Sequence, residues 1–474
     1  MGSLRVLEQA APAVIPGDSK RQAPVPVSRF RSLDGLRGAA AVIVLLHHLS
    51  LTIPSVSLGY DSRSAVSSFS IAWWALESPV KIFLAGPEFV LVFFVLSGFV
   101  LSLSPLARID SGRAGVSGER GAYDWVSYYP RRILRLGIPV VASLVLAMAL
   151  IGLMPRAAHS TGSTWLTRQA HPDLSIHHLV AEALLIVDPN QPSVNSSLWS
   201  LTWEMWFSLL LPVAILIVVR SRQLPLLWAA LFVAVSVYGY VAGVPAMMFL
   251  PAFALGGLLG ANAYRIQRSL NRCRRRGWLT SMWVTLAVSG PMLSISYWLL
   301  RPVLSGPTVA LAMAMRVPGA VIMVATVAFW PAASRFFSSN AFRGLGRVSY
   351  SLYLVQAPIV IGIGLHFIAQ PWWVRGVLTL ITCTVVATAM YFLVEKPSTT
   401  LAALAGKRVS KIWEAATIKW SEYLPSSRTH QQNAVLPKDK DDDDHVEDAE
   451  HSQADRRVGR KRVHLNAKEE NQHS

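Results

Sequence analysis

Long apolar runs, separated by short polar or basic loops, set the pattern of this chain from about residue 38 to residue 394. An apolar run of about 18 residues or more is long enough, as a helix, to cross the roughly 30 Å of bilayer hydrocarbon. In lipid a helix also satisfies its own backbone N–H and C=O groups, which other single segments do not. The pattern predicts ten spans, near residues 38–56, 88–104, 136–154, 198–219, 224–243, 246–263, 279–300, 309–330, 348–368 and 374–394. The second is short, and the stretch "FSIAWWALESPVKIFLAG" before it, with Pro79 and Lys81, reads as an interfacial or re-entrant segment. The predicted fold class is an all-α polytopic membrane protein with about ten transmembrane helices.

Composition agrees with that pattern. Of 474 residues, 52% are hydrophobic and only 15% charged, where soluble domains carry about 25% charged residues. The net charge is +17, which in a soluble protein would suggest nucleic acid. Here the basic residues crowd the loops between spans 2–3, 4–5, 6–7 and 8–9, and are sparse in the others. Lys and Arg in short loops set membrane orientation, so the charge predicts a bilayer setting with both termini cytosolic, and no nucleic-acid partner. The 16 Trp and 12 Tyr suit interfacial belts. Cys273 and Cys383 have neither metal nor disulfide spacing, and no metal or resident cofactor is expected.

Three regions follow. Residues 1–30, Pro/Ala-rich and without the apolar core of a cleavable signal, are expected to be a disordered cytosolic segment, with the first span acting as an uncleaved anchor. Residues 31–400 form the transmembrane domain. Residues 409–474, with blocks such as "KDKDDDDHVEDAEHSQADRRVGRKR", lack the apolar content to fold and are expected to be a disordered charged tail. Asn195-Ser196-Ser197 is a glycosylation sequon on the predicted outer side, close to the membrane.

The first span, in "RSLDGLRGAAAVIVLLHHLS", carries two histidines deep in apolar sequence. Arg37 and His48 are eleven residues apart, about 20° past three full helical turns, so both project from one face. His48 lies about 16 Å deeper than Arg37, and His47 points about 100° away. Ionisable groups within a membrane are expensive and mark substrate paths or reaction centres. Burial favours the neutral imidazole, the form a general base needs. His48 is therefore the candidate base, Arg37 marks the cytosolic mouth or pairs with Asp34, and His47 is assigned to packing. Glu204 has two readings: a first-turn carboxylate near the outer end of the fourth span, favoured by the helix dipole, or a group binding acceptor or imidazole. Arg316, inside the eighth span, either snorkels outward or lines a cavity. Ser97, in "LSGF", is assigned to helix packing, and Glu395 to the cytosolic end of the last helix.

These motifs together resemble the membrane-bound acyltransferase 3 family. "LDGLRGAAAVIVLLHH" carries its Arg-ten residues-His signature as Arg37 and His48. "FFVLSGFVLS", "YYPRRILRLGIP", "LWSLTWEMWFSLLLP", "GRVSYSLYLVQAP" and "EKP" follow in the family's order, so the resemblance covers about residues 31–400. It implies transfer of an acyl group, often acetyl, from cytosolic acyl-CoA to an acceptor hydroxyl. Arg131, Arg132 and Arg135 would then hold the CoA phosphates, although membrane anchoring alone also accounts for a basic cluster. His48 would take the hydroxyl proton, or carry the acyl group itself. The chain departs from the family at Gln356, where His is common; Gln can hydrogen-bond but not take up a proton. The acceptor is a glycan, a lipid or a hydrophobic small molecule such as a secondary metabolite, and the membrane is an endomembrane or the plasma membrane. Oligomeric state is left open. The rival reading is a multi-pass secondary transporter of a small hydrophobic or anionic solute.

Overall fold

The structure is a computed structural model that describes residues 30–113, 123–156, 162–186, 193–273 and 277–423. Residues up to Thr417 form one compact unit; of the second unit, Ile418–Ser474, the described residues 418–423 are helical. Among the described residues there are helices and no strands.

The first span is α1 (Arg31–Ser50), which turns through 99° into α2 (Pro54–Asp61). Pro54 causes the turn. It lacks an N–H for a continuing helix and pushes the preceding residue out of the helical region, and Ile53 is extended at φ −84°, ψ 121°. The span predicted to reach residue 56 therefore stops short, and a lobe begins. The lobe continues through α3 (Ile71–Leu76) and a 3-10 segment at Pro79–Leu84.

Then follow α4 (Gly86–Arg113) and α5 (Trp125–Leu153), the short helices α6 (Thr164–Gln169) and α7 (Ile176–Ala183), and the pair α8 (Leu198–Leu209) and α9 (Leu211–Ser221), bent by 70°. Pro212, in the first turn of α9, again marks the break. The second half comprises α10 (Pro225–Ala242), α11 (Pro245–Cys273), α12 (Trp278–Ser294), α13 (Ser296–Leu300), α14 (Pro307–Ala314), α15 (Arg316–Phe329), α16 (Pro331–Phe337), α17 (Asn340–His366), α18 (Trp372–Met390), a π-helical turn at Tyr391–Glu395, and α19 (Lys396–Tyr423).

Seven helices among the described residues are long and apolar enough to cross a membrane, or nine if each bent pair is one span. This is a multi-pass membrane protein, with fewer clear spans than the ten expected. The predicted seventh span, 279–300, is divided between α12 and α13, because Pro291 interrupts its hydrogen bonding and Ile295 leaves the helix. A second correction concerns the tail expected to be disordered from residue 409. Helix α19 runs on to Tyr423, tied down where Ser410 Oγ donates to Asp124 Oδ2 at 3.0 Å. The remainder of that tail, and residues 1–29, lie outside the described residues.

Helix α17 is the central post, buried almost throughout from Ser349 to Leu365. It crosses α1 where glycine meets glycine: a Cβ on Gly38 would strike the backbone N of Gly346, and one on Gly346 would strike Asp34 O. Backbone contact this close needs small residues in a membrane. It brings Arg37 and His48 of α1 against the "SYSLYLVQAP" stretch of α17, which builds the site.

Candidate active site

Arg37 lines a cavity of about 190 Å³ together with Arg132, Arg135, Glu204, Glu395, Ser97 and Tyr350. Five elements thus bring ionisable groups to the end of the molecule where α1 begins. Their bonding differs. Arg132 Nη2 donates to Glu204 Oε1 at 2.5 Å and Arg132 Nε to Ser208 Oγ at 2.8 Å. Ser97 Oγ donates to the same Glu204 oxygen at 3.2 Å. Glu395 accepts from Ser351 Oγ at 2.6 Å. Arg37 and Arg135, by contrast, make no hydrogen bond or ion pair among the described residues, and Arg37 is not paired with Asp34. The cavity therefore presents two uncommitted guanidinium forks, whose geometry suits carboxylate and phosphate oxygens.

Two expectations need adjusting. The spacing predicts Glu204 near the outer end of its span; the structure seats it beside Arg132, six residues beyond the start of α8, at the Arg37 end of the bundle. The break after Leu209 makes α8 a half-span, so counting inward from an outer end misplaces it. The expected arginine trio is also divided. Arg131 lines a different cavity, of about 470 Å³, with Arg108, Ser104, Asp124, Ser127 and the two tyrosines Tyr123 and Tyr128.

A smaller space of about 20 Å³ adjoins the first cavity, sharing Arg37, Phe93, Glu204 and Tyr350 with it and reaching Ser200 and Tyr353. Tyr353 Oη and Ser200 Oγ are hydrogen-bonded there at 2.5 Å, and the Phe93 ring meets Tyr353 edge-on at 5.7 Å. His48 is absent from the lining of both spaces. It sits one turn further along α17, where its Nδ1 is 2.8 Å from Gln356 Oε1. Its ring stacks on Trp165 of α6 at 5.4 Å and 15°. The neighbouring His47 is occupied elsewhere: Nδ1 is 2.9 Å from the Leu84 carbonyl, and its ring fills the space beside Gly86, where a Cβ would clash with it.

The lobe that carries Trp165 is firmly held. Ser163 Oγ donates to Leu51 O at 2.7 Å, and Arg168 forks onto Asp61 at 2.8 and 3.1 Å. Glu182, outside the spans, accepts from the backbone N–H of Val194 and Asn195 at 2.7 and 3.2 Å, and burial raises its carboxyl above the usual range. Asn195, the sequon residue, is wholly buried; its Nδ2 donates to Leu354 O at 2.9 Å, so it is spent in the core.

A second ionisable cluster lies beyond His47; the sequence singles out two of its members, Lys81 and Arg316, but neither Glu88 nor the meeting of the three. Glu88 Oε1 accepts from Trp298 Nε1 at 3.0 Å and lies 3.5 Å from Arg316 Nη1. Lys81 Nζ donates to Leu84 O at 3.2 Å and lies over the Trp298 ring at 4.3 Å. Three ionisable residues inside apolar sequence, Lys81, Glu88 and Arg316, are the signal that points to it, since each demands a partner in a membrane.

Residues 30–392 match the acyltransferase-domain family over most of the chain. The chain belongs to the acyltransferase 3 family. The curated relatives it matches include "Acyltransferase clz18" of Cochliobolus lunatus, 31% identical over 148 residues (27% of this chain and 31% of the relative). "Acyltransferase R4" of a Phoma species is 29% identical over 145 residues (27% of this chain and 30% of the relative). The matched stretch thus spans under a third of either relative. No solved structure matches.

Proposed function

We propose that this acyltransferase 3 member is an integral-membrane O-acyltransferase that moves an acetyl or other short acyl group from acyl-CoA to an acceptor hydroxyl. The observation that carries the reading is the pairing of two free guanidinium groups, Arg37 and Arg135, in one cavity, with a histidine three turns along the Arg37 face. Phosphate groups of the donor engage Arg37 and Arg135 at the mouth, and the thioester, on its long flexible arm, reaches toward His48. Arg131 and Arg132 add positive potential there; Arg132 acts mainly as the partner that holds Glu204.

In the reaction His48 accepts the acceptor's O–H proton as its oxygen attacks the thioester carbonyl. The C–S bond then breaks, and the departing CoA thiolate takes that proton from the imidazolium. Glu204, held by Arg132 and Ser97, sits too far toward the mouth to bond His48 directly and acts on the field of the passage. The acceptor is a glycan, a lipid or a hydrophobic small molecule, met in an endomembrane or the plasma membrane.

The test is acetyl-CoA consumption by purified protein in nanodiscs, beside His48→Ala and Arg37→Ala. Slow thioester hydrolysis lost in His48→Ala, with acetyl-CoA affinity lost in Arg37→Ala, is the expected result. Folded protein that binds no acetyl-CoA would overturn the reading and favour solute transport. Label from radioactive acetyl-CoA that stays on the protein through a neutral quench, is released by neutral hydroxylamine and is absent in His48→Ala would replace direct transfer by an acyl-histidine route.

A further inference from the structure

The residue in which this chain departs from its family is the one that touches the candidate base. We propose that Gln356 is a positioning residue that fixes the tautomer of His48, placing its proton on Nδ1 and leaving Nε2 as the nitrogen that reacts. This rests on the acyl-transfer reading for its consequence, though not for its geometry.

The argument starts from what each atom is able to do. Gln356 is 0% exposed, so its amide is oriented by protein partners alone. Its Nε2 faces Ser197 Oγ at 2.9 Å and the Tyr353 carbonyl at 3.5 Å. A carbonyl only accepts, so the NH2 belongs on that side and the oxygen on the His48 side. Oε1 likewise only accepts, so the His48 nitrogen 2.8 Å away must carry hydrogen. A neutral imidazole has one N–H, so its lone pair resides on Nε2. Among the described residues Nε2 makes no hydrogen bond. Stacking on Trp165 and the His47 ring at 5.4 Å hold the plane of the ring.

A histidine at position 356 would offer either a lone pair or an N–H to His48, according to its own protonation. Glutamine offers an acceptor at every physiological pH, so the tautomer no longer depends on a second titration. The ionisable groups on the elements packed about His48 are His47 on its own helix, Lys81 and Tyr60 behind His47, Tyr353 on α17 and, further off, Glu204 on α8 and Glu182 with Arg156 on the lobe side. None of these is hydrogen-bonded to the His48 ring.

The experiment compares wild type with Gln356→Glu and Gln356→Met by two readouts. One is the pH profile of acetyl-CoA turnover; the other is C2-hydrogen exchange of His48 followed by mass spectrometry, which reports the ring's titration without requiring turnover. Gln356→Glu keeps the acceptor and adds charge; the midpoint of both curves is expected to move up by about one unit or more. Gln356→Met keeps the volume and removes the acceptor; turnover is expected to fall about 10- to 100-fold in protein of unchanged melting temperature. Folded variants whose His48 exchange curve coincides with wild type would overturn the proposal. If His48→Ala leaves turnover intact, the acyl-transfer reading fails, and the exchange curves still decide the role of Gln356. Gln356→Met serves as the second variant should the buried carboxylate of Gln356→Glu prevent folding.

Discussion

Two charged clusters lie along the first span, and they are built in opposite ways. At the Arg37 end, guanidinium groups line an open cavity, and two of them, Arg37 and Arg135, make no hydrogen bond or ion pair among the described residues. Beyond His47, Lys81 and Glu88 are both 0% exposed and boxed by rings. The Tyr60 ring lies 4.8 Å from that of Trp298, and Arg316 lies over Tyr240 and Tyr297 at 5.8 and 5.5 Å. Charge that is sealed among its partners serves the fold, because its cost is met only by those partners. Charge that faces a cavity without a partner is available to a ligand. The open cavity sets three guanidinium groups against three carboxylates, Asp34, Glu204 and Glu395, while the sealed cluster sets Lys81 and Arg316 against Glu88 alone, so the cluster with the poorer charge balance is the closed one, and accessibility is what separates them.

Removing the anion from the sealed cluster is expected to have the largest effect. Glu88→Ala leaves Lys81 and Arg316 buried without a carboxylate and Trp298 without its acceptor. A cost of about 3–5 kcal/mol is expected, read as a large drop in melting temperature or loss of monodisperse protein in detergent. Unchanged melting would mean that the box does not support the fold. Next in size is Arg37→Ala in the open cavity. It is expected to melt as wild type and to lose about 1.5–3 kcal/mol of acetyl-CoA binding, the value of a hydrogen bond to a charged group, by equilibrium titration. Salt sharpens the contrast further. Raising ionic strength from 0.05 to about 0.5 M shortens the screening length, and is expected to weaken acetyl-CoA binding several-fold while moving the melting temperature little.

The open cluster was largely legible in the sequence and the sealed one was not. Arg37 and His48 share a helix face by spacing alone, and a single helix carries both, so helical geometry suffices. Gln356 stood out as a departure, yet its contact with His48 spans 308 positions and depends on the α1–α17 crossing. Glu204 shows a different failure. Treating its span as straight put it at the wrong end, because the local break at Leu210 carries no signal in apolar periodicity beyond Pro212. Glu88 carries little signal of its own: in "AGPEFV" it is an acidic residue in the first turn of a helix, where the dipole alone accounts for it. Its partners lie on α13 and α15, more than two hundred residues away.

Lys81→Met is the smallest and most discriminating change. The ammonium spends one of its three N–H donors on the Leu84 carbonyl and rests against the Trp298 face. Methionine keeps most of the volume and a polarisable contact with the ring. It also leaves Glu88 paired with Arg316 one to one, while the lost cation–π contact costs about 1–2 kcal/mol and the relieved desolvation of the ammonium offsets it. A net change within about 1 kcal/mol is expected, with wild-type acetyl-CoA binding, measured as melting temperature and titration on the same preparation. The two readouts answer separately. A large fall in melting would make Lys81 a structural anchor in its own right. Unchanged melting with lost binding would mean that the box reaches the substrate path through His47, and the division between a sealed and an open cluster would have to be abandoned.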